Sequence, residues 1–290
     1  MVRTAVMTDT NSGISVNEGE AMGIYVLPMP VIVDGKEYTE GADLTHEALF
    51  EALAGGKPAM TSQPSPGDVK ALWDKALADG AEEVIYIPMS SRLSGSCEAA
   101  AALAKEYGGK VVVADNHRIS VTLRSSVMDA VYLSGLGKTA EEIRDQLERN
   151  AFDASIYICV NTLKYLKRSN RVTAAGASLA TAMNLHPILN IRGGKLDAQC
   201  VVRGNKHTQK TLIKLMEDDL EKRFRFIPRS QMRIYAAGTL VNQKDAEEWC
   251  SRVQKAFRDD SIRYYPLSCS ITCHVGENAV AIAMAIKGDQ

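Results

Sequence analysis

The chain has 290 residues, 46% of them hydrophobic and 24% charged, proportions that exclude a disordered chain and a low-complexity one. The formal net charge of −1 excludes a general attraction for nucleic acid, but it conceals two unequal halves. Residues 1–150 carry 13 Lys and Arg against 22 Asp and Glu, whereas residues 151–290 carry 21 against 13, so the second half can offer a basic face to an acidic partner or a phosphate.

In chain order, Thr4–Asp9 is a short apolar run, and Ser15-Val16-Asn17-Glu18 is a capping box that opens a helix. Ile24–Val33 reads as one buried strand ending at the Asp34-Gly35 turn. Thr45 starts a helix that stops at Gly55-Gly56, and Ser65-Pro66-Gly67-Asp68 starts another that runs to Gly80. Val84–Pro88 is a strand, Ser94 opens an Ala-rich helix through Tyr107, and Val111–Ala114 is a strand. Repeated strand–helix units of this length predict a parallel sheet covered by helices. Helices follow over 120–134 and 140–150, the second capped by Thr139 and Glu142.

Pattern and charge both change near residue 150, which divides the chain into an expected parallel α/β domain (1–150) and a mixed-sheet α/β domain (151–290). In the second, strand Ser155–Val160 precedes helices around 161–168 and 173–183 and a hairpin at Gly193-Gly194. A helix from Asn205 to Phe224, strand Met232–Ala236, a helix from about Asn242, and strands Ile262–Leu267 and Ala279–Ile286 complete it.

No run approaches the roughly 18 apolar residues of a membrane span. Asp9 interrupts the N-terminus too early for a signal peptide, so the expected location is cytoplasmic, without stable membrane insertion. Six scattered cysteines in such a chain are expected to be reduced thiols. Cys269-x-x-x-Cys273-His274 suggests a metal, but on an extended segment the two thiols share one face and His274 takes the other, so no metal site is expected.

The common catalytic signatures are missing. Gly137-Lys138-Thr139 lacks the first glycine of a P-loop, Tyr132 standing there, and follows a helix rather than a strand. No Gly-x-Ser-x-Gly elbow, His-Glu-x-x-His motif or dinucleotide glycine pattern occurs, and no cofactor is expected. Two polar loops stand out instead: Met60–Pro66, a hinge before a helix, and Ser90–Ser96, which leaves the carboxyl end of a strand and enters a helix. Ligands of open α/β sheets gather at that end, and a helix N-terminus with a nearby Gly95 and Ser94 suits an anion. Plain helix capping explains the same serines. His274 is placed between two strands, without a partner that sequence can name.

Taken in order, Thr8–Ser12, Thr61-Ser62-Gln63-Pro64-Ser65, Ser90–Ser96, Ala114-Asp115, Leu163–Arg168, Pro187–Leu189 and Val202-Arg203 resemble the DegV family nearly end to end. These are bacterial fatty-acid-binding proteins that include the lipid carriers of the fatty-acid kinase system. The resemblance implies a fatty acid with its tail in a buried tunnel and its carboxylate between two domains. It places Thr61 and Ser94 on the carboxylate, Ser62 and Gly95 on supporting backbone, and His274 in the polar network. It places Arg171 and Arg203 in docking on a fatty-acid kinase and in handling the acyl-phosphate product. Two departures are visible: Ser169-Asn170 replaces a glycine pair before Arg171, and Glu277-Asn278 replaces Pro-Gly after His274-Val275-Gly276. The expected function is a non-enzymatic carrier of one long-chain fatty acid. A serine hydrolase or acyltransferase built on Ser94 and His274, or a regulatory module for another small anion, are the alternatives.

Overall fold

The structure, a computed structural model, describes residues 2–179 and 185–288. Its elements run β1 (Thr4–Asp9), α1 (Val16–Met22), β2 (Tyr25–Leu27), β3 (Pro30–Val33), β4 (Lys36–Thr39), α2 (His46–Ala54), β5 (Ala59–Thr61), α3 (Pro66–Ala78), β6 (Glu83–Ile87), α4 (Ser96–Ala104), β7 (Val111–Val113), α5 (Ser120–Gly135) and α6 (Ala140–Arg149). Then come β8 (Ala154–Cys159), α7 (Lys164–Ser169), α8 (Ala174–Ser178), β9 (Leu185–Ile191), β10 (Asp197–Arg203), α9 (Asn205–Lys222), β11 (Met232–Gly238), α10 (Gln243–Phe257), β12 (Tyr264–Pro266), α11 (Cys269–Val275) and β13 (Val280–Ile286).

They form three sheets. One is parallel, in the order β2-β1-β6-β7. The second is mixed, in the order β10-β9-β8-β13-β11-β12, antiparallel except for the parallel pair β11–β12. The third, β4-β3-β5, is small and antiparallel. The expected parallel and mixed halves are both present.

The helix starts are set by local chemistry. Ser15, Thr45, Ser65 and Thr139 each accept from the backbone N–H three residues on. Only at Thr139 is the capping box reciprocal; the Glu18 carboxylate at the start of α1 is taken instead by Arg124 of α5. Ile24–Val33 is not one strand. The break falls at Pro28-Met29, and β2 joins the parallel sheet while β3, opening at Pro30, begins the small one. The Ala-rich helix begins at Ser96 rather than Ser94 and tightens into a 3-10 turn over Lys105–Tyr107. The helix expected over 173–183 is observed as α8, and residues 180–184 lie outside the described residues.

α5 links the two large sheets. Val6 and Ile85 of the parallel sheet, Leu123 and Val127 of α5, and Ile156 and Ala283 of the mixed sheet belong to one continuous buried cluster. Into it project a few paired charges: Arg233 of β11 reaches Asp129 of α5 at 2.7 Å and the Ser125 hydroxyl at 2.8 Å. Removing one partner of a buried ion pair strands the other, at a cost of about 3–5 kcal/mol. Asp129→Ala is therefore expected to lower unfolding free energy in urea by about that amount, and Asp129→Leu with Arg233→Met to recover most of it. A loss below about 0.5 kcal/mol for the single variant would mean that the pair does not join α5 to the sheet.

Candidate functional site

The Ser90–Ser96 loop leaves the carboxyl end of β6, between β1 and β7, and its backbone is tied down locally. The Ser90 hydroxyl accepts from the Arg92 N–H at 3.2 Å, and Asp115 accepts from the Ser91 N–H at 3.1 Å. Ser94 Oγ lies 3.0 Å from Ser96 Oγ and accepts from the Ser96 N–H at 3.2 Å. Gly95 occupies the N-cap of α4 without a side-chain cap. A side chain at Gly95 would push aside the Gln63 amide, 2.6 Å from its Cβ position, which now lies against the start of α4.

Thr61 is the last residue of β5 and pairs with Val31 of β3. Its loop was expected as a hinge; the small sheet instead makes its front a strand. His274 does lie between two strands, β12 and β13, but on a helix rather than an extended segment. It lies in the last turn of α11, which Ser268 caps and which ends at Gly276, where φ of +76° favours glycine. The helix brings His274 Nε2 to 3.0 Å from Thr61 Oγ1. Burial, and secondarily the Arg171 guanidinium, hold the His274 pKa down at about 3, so its imidazole is neutral at physiological pH. Arg171 donates from Nε to the Leu93 carbonyl at 3.0 Å and from Nη1 to the Ser169 carbonyl at 3.4 Å.

A cavity of about 490 Å³ runs inward from these groups, within the roughly 300–1,000 Å³ of small-molecule sites. Thr61, Ser94, Arg171 and His274 stand on its wall, and Ile119, Ile156, Ile158, Leu166, Ile191 and Ala283 line its apolar part, between α5 and the mixed sheet. Its described lining includes Arg92, Arg171 and Lys195 but no Asp or Glu. A smaller cavity of about 160 Å³ shares Thr61, Ser169, Arg171 and His274 with it and adds Lys57, Lys164 and Arg168, again without an acid. The polar end is therefore flanked by two spaces, one larger with apolar residues along much of its wall, the other smaller and basic.

Thr61, Ser62, Ser94, Gly95 and His274 all line the large cavity, although the Ser62 hydroxyl points toward Glu37, at 3.4 Å. Arg171 joins them. Arg203 does not: it is exposed at the end of β10 and lines neither space. Asn170, at φ +54°, takes the left-handed turn that a glycine would take, and Glu277 lines neither cavity. His274 bonds Thr61 rather than Ser94, so the nucleophile–base contact of a serine hydrolase is not formed. Sequence reasoning missed Arg92, Lys195 and Asn11 on the wall, and Ser120, whose φ of +55° is unusual for a residue with a side chain.

A family model described as "Uncharacterised protein, DegV family" matches residues 3–287. A DegV domain-containing protein of Deinococcus radiodurans is 30% identical over 282 residues, 97% of this chain and 97% of the relative. A DegV family protein from Thermus thermophilus, described by its fatty-acid binding, superposes with a TM-score of 0.87 at 26% identity, covering 98% of this chain and 100% of that one. A stearic-acid-binding protein from Eubacterium ventriosum shares the fold, with a TM-score of 0.86 at 18% identity over 99% of each chain. By the extent of these matches, the chain belongs to the DegV family.

Proposed function

We propose that this protein binds one long-chain fatty acid non-covalently, with its tail in the large cavity and its carboxylate at Thr61, Ser94, Arg171 and the start of α4. The observation that carries this reading is a cavity apolar along its depth, hydroxyl- and cation-bearing at one end, and free of acids among its described lining. The fatty acid bound by the Thermus thermophilus relative supports it. In the tautomer protonated at Nε2, a neutral His274 would donate to Thr61 Oγ1 and leave the threonine proton free for the carboxylate. Ser62 and Gly95 support this end through the backbone of their loops.

The affinity resides in the tail. Each buried methylene contributes about 0.8 kcal/mol, on the order of 10 kcal/mol gross for a long chain. A hydrogen bond to a charged group contributes about 1.5–3 kcal/mol, enough to orient the acid.

The basic second space gives the carboxylate an approach from outside while the tail stays buried. On this ground the protein is a carrier that presents the acid to a fatty-acid kinase for acyl-phosphate formation. Arg171 then belongs to the head-group end, and Arg203, with the exposed Lys164 and Arg168, to docking of the kinase.

Ser94→Ala is expected to weaken displacement of a fluorescent fatty acid by no more than about tenfold, or about 1.4 kcal/mol. Ala283→Phe, which fills the apolar wall, is expected to weaken it more than about a hundredfold. The opposite ranking in folded variants would contradict the division between tail and head. Because His274 stays neutral, affinity is expected to hold within about twofold from about pH 6 to pH 8, and a tenfold rise toward pH 6 would show that the imidazole gains a charge beside the carboxylate. Burial of neutral His274 also ties stability to pH. The unfolded chain takes up its proton below about pH 6.5, so this contribution is present above that value and lost as pH falls toward 3. His274→Gln is expected to flatten the acid limb of the stability profile, and an unchanged limb would contradict it. Lys164→Glu with Arg168→Glu is expected to slow acyl-phosphate formation by a fatty-acid kinase about tenfold or more, with fatty-acid affinity unchanged. An unaltered rate would remove this face from docking.

A further inference from the structure

Cys269, Cys273 and His274 share a helix, not a strand, and do not form a ligand set together. The first residue of α11 instead meets two groups that are distant in sequence. Glu40, just after β4, and His46, the first residue of α2, each place one donor atom so that these and Cys269 Sγ all lie within 4.8 Å of one another. Glu40 and Cys269 are buried and His46 is half-buried. This group shares no lining residue with either cavity at the head-group end. It borders a third, of about 340 Å³, whose described lining holds Glu40 and Glu47 but no Lys or Arg.

Each donor is held in place. The Glu40 carboxylate accepts from the Thr10 hydroxyl at 2.7 Å on one oxygen and from the Cys269 N–H on the other. The oxygen facing Cys269 keeps a further lone pair. His46 Nε2 lies 2.8 Å from the Leu267 carbonyl. A carbonyl only accepts, so Nε2 carries the proton and Nδ1 holds a free lone pair. Fixing one ring nitrogen on a carbonyl is the usual support of a metal-ligating imidazole. Burial raises the pKa of Glu40, and burial together with the nearby Glu40 carboxylate pushes the Cys269 thiol well above its ordinary range.

We propose that Glu40, His46 and Cys269 form a binding site for a divalent transition-metal ion, zinc by preference, with water from the adjacent cavity as its fourth ligand. Imidazole, thiolate and carboxylate with one open position match the coordination habits of zinc. The ion would pin the segment that leads to Thr61 against the helix that carries His274, so its occupancy would stiffen the two sides of the head-group end together.

The test is titration of the full chain, stripped of metal with a chelator, with Zn²⁺ and separately with Co²⁺. Expected are saturable uptake of one ion per chain, a cobalt–thiolate absorption band and a higher melting temperature with zinc. Cys269→Ser and His46→Gln are each expected to weaken uptake by more than the roughly 10–100-fold that loss of an outer partner costs, with Cys250→Ser unchanged. His46 is half-buried in the first turn of its helix, so its variant tests the site even where Cys269→Ser does not fold, and the cobalt band needs no variant. Absence of stoichiometric uptake, uptake without the thiolate band, or uptake that survives His46→Gln overturns the proposal.

Discussion

A long hydrocarbon chain leaves water readily, whereas the carboxylate at its end does not unless donors replace its hydration. Any protein that holds such a molecule must join a deep apolar space to a polar mouth without placing a carboxylate of its own there. On the proposed reading, that junction falls in this chain where β5 at Thr61, the loop entering α4 at Ser94-Gly95 and the last turn of α11 at His274 come together. The apolar depth is built by the mixed sheet and α5, which is itself buried against the parallel sheet. The cavity is therefore a consequence of how the two halves pack.

The electrostatics of the mouth follow from its burial. His274 is kept neutral by desolvation, helped by Arg171, and so acts as a hydrogen-bonding post for Thr61. Arg171 is itself tied to the Leu93 carbonyl, which joins the mixed-sheet half to the loop before α4. On the proposed reading, the group that would neutralise the carboxylate also connects the surfaces that enclose it. A catalytic serine would need its base within reach, and His274 is engaged with Thr61 instead.

Much of this was legible in the residues. Caps at Thr45, Ser65 and Thr139, the strand–helix alternation and the hairpin at Gly193-Gly194 are local signals, and they placed most elements. The polar loops were readable because Gly95 and its serines stand between a strand and a helix, and the resemblance of the Thr61–Ser65 and Ser90–Ser96 segments joined them into one site. What failed was set by tertiary pairing. β4 and β5 are short and exist because β3 lies between them, and α11 is only seven residues long, all but His274 buried, so its helical form depends on packing. With α11 read as extended, the reach of His274 to Thr61 and of Cys269 to Glu40 could not be seen. Arg171 was expected, by the resemblance, in kinase docking, and its tie to the Leu93 carbonyl could not be seen because the two are far apart in sequence.

The most direct test of the central claim is chemical: organic extraction of the protein purified from cells, with mass spectrometry of what it carries. The account predicts a long-chain carboxylic acid near one equivalent per chain, absent from an Ala283→Phe preparation of equal fold. A protein that yields no such acid and takes up none when it is supplied would contradict it.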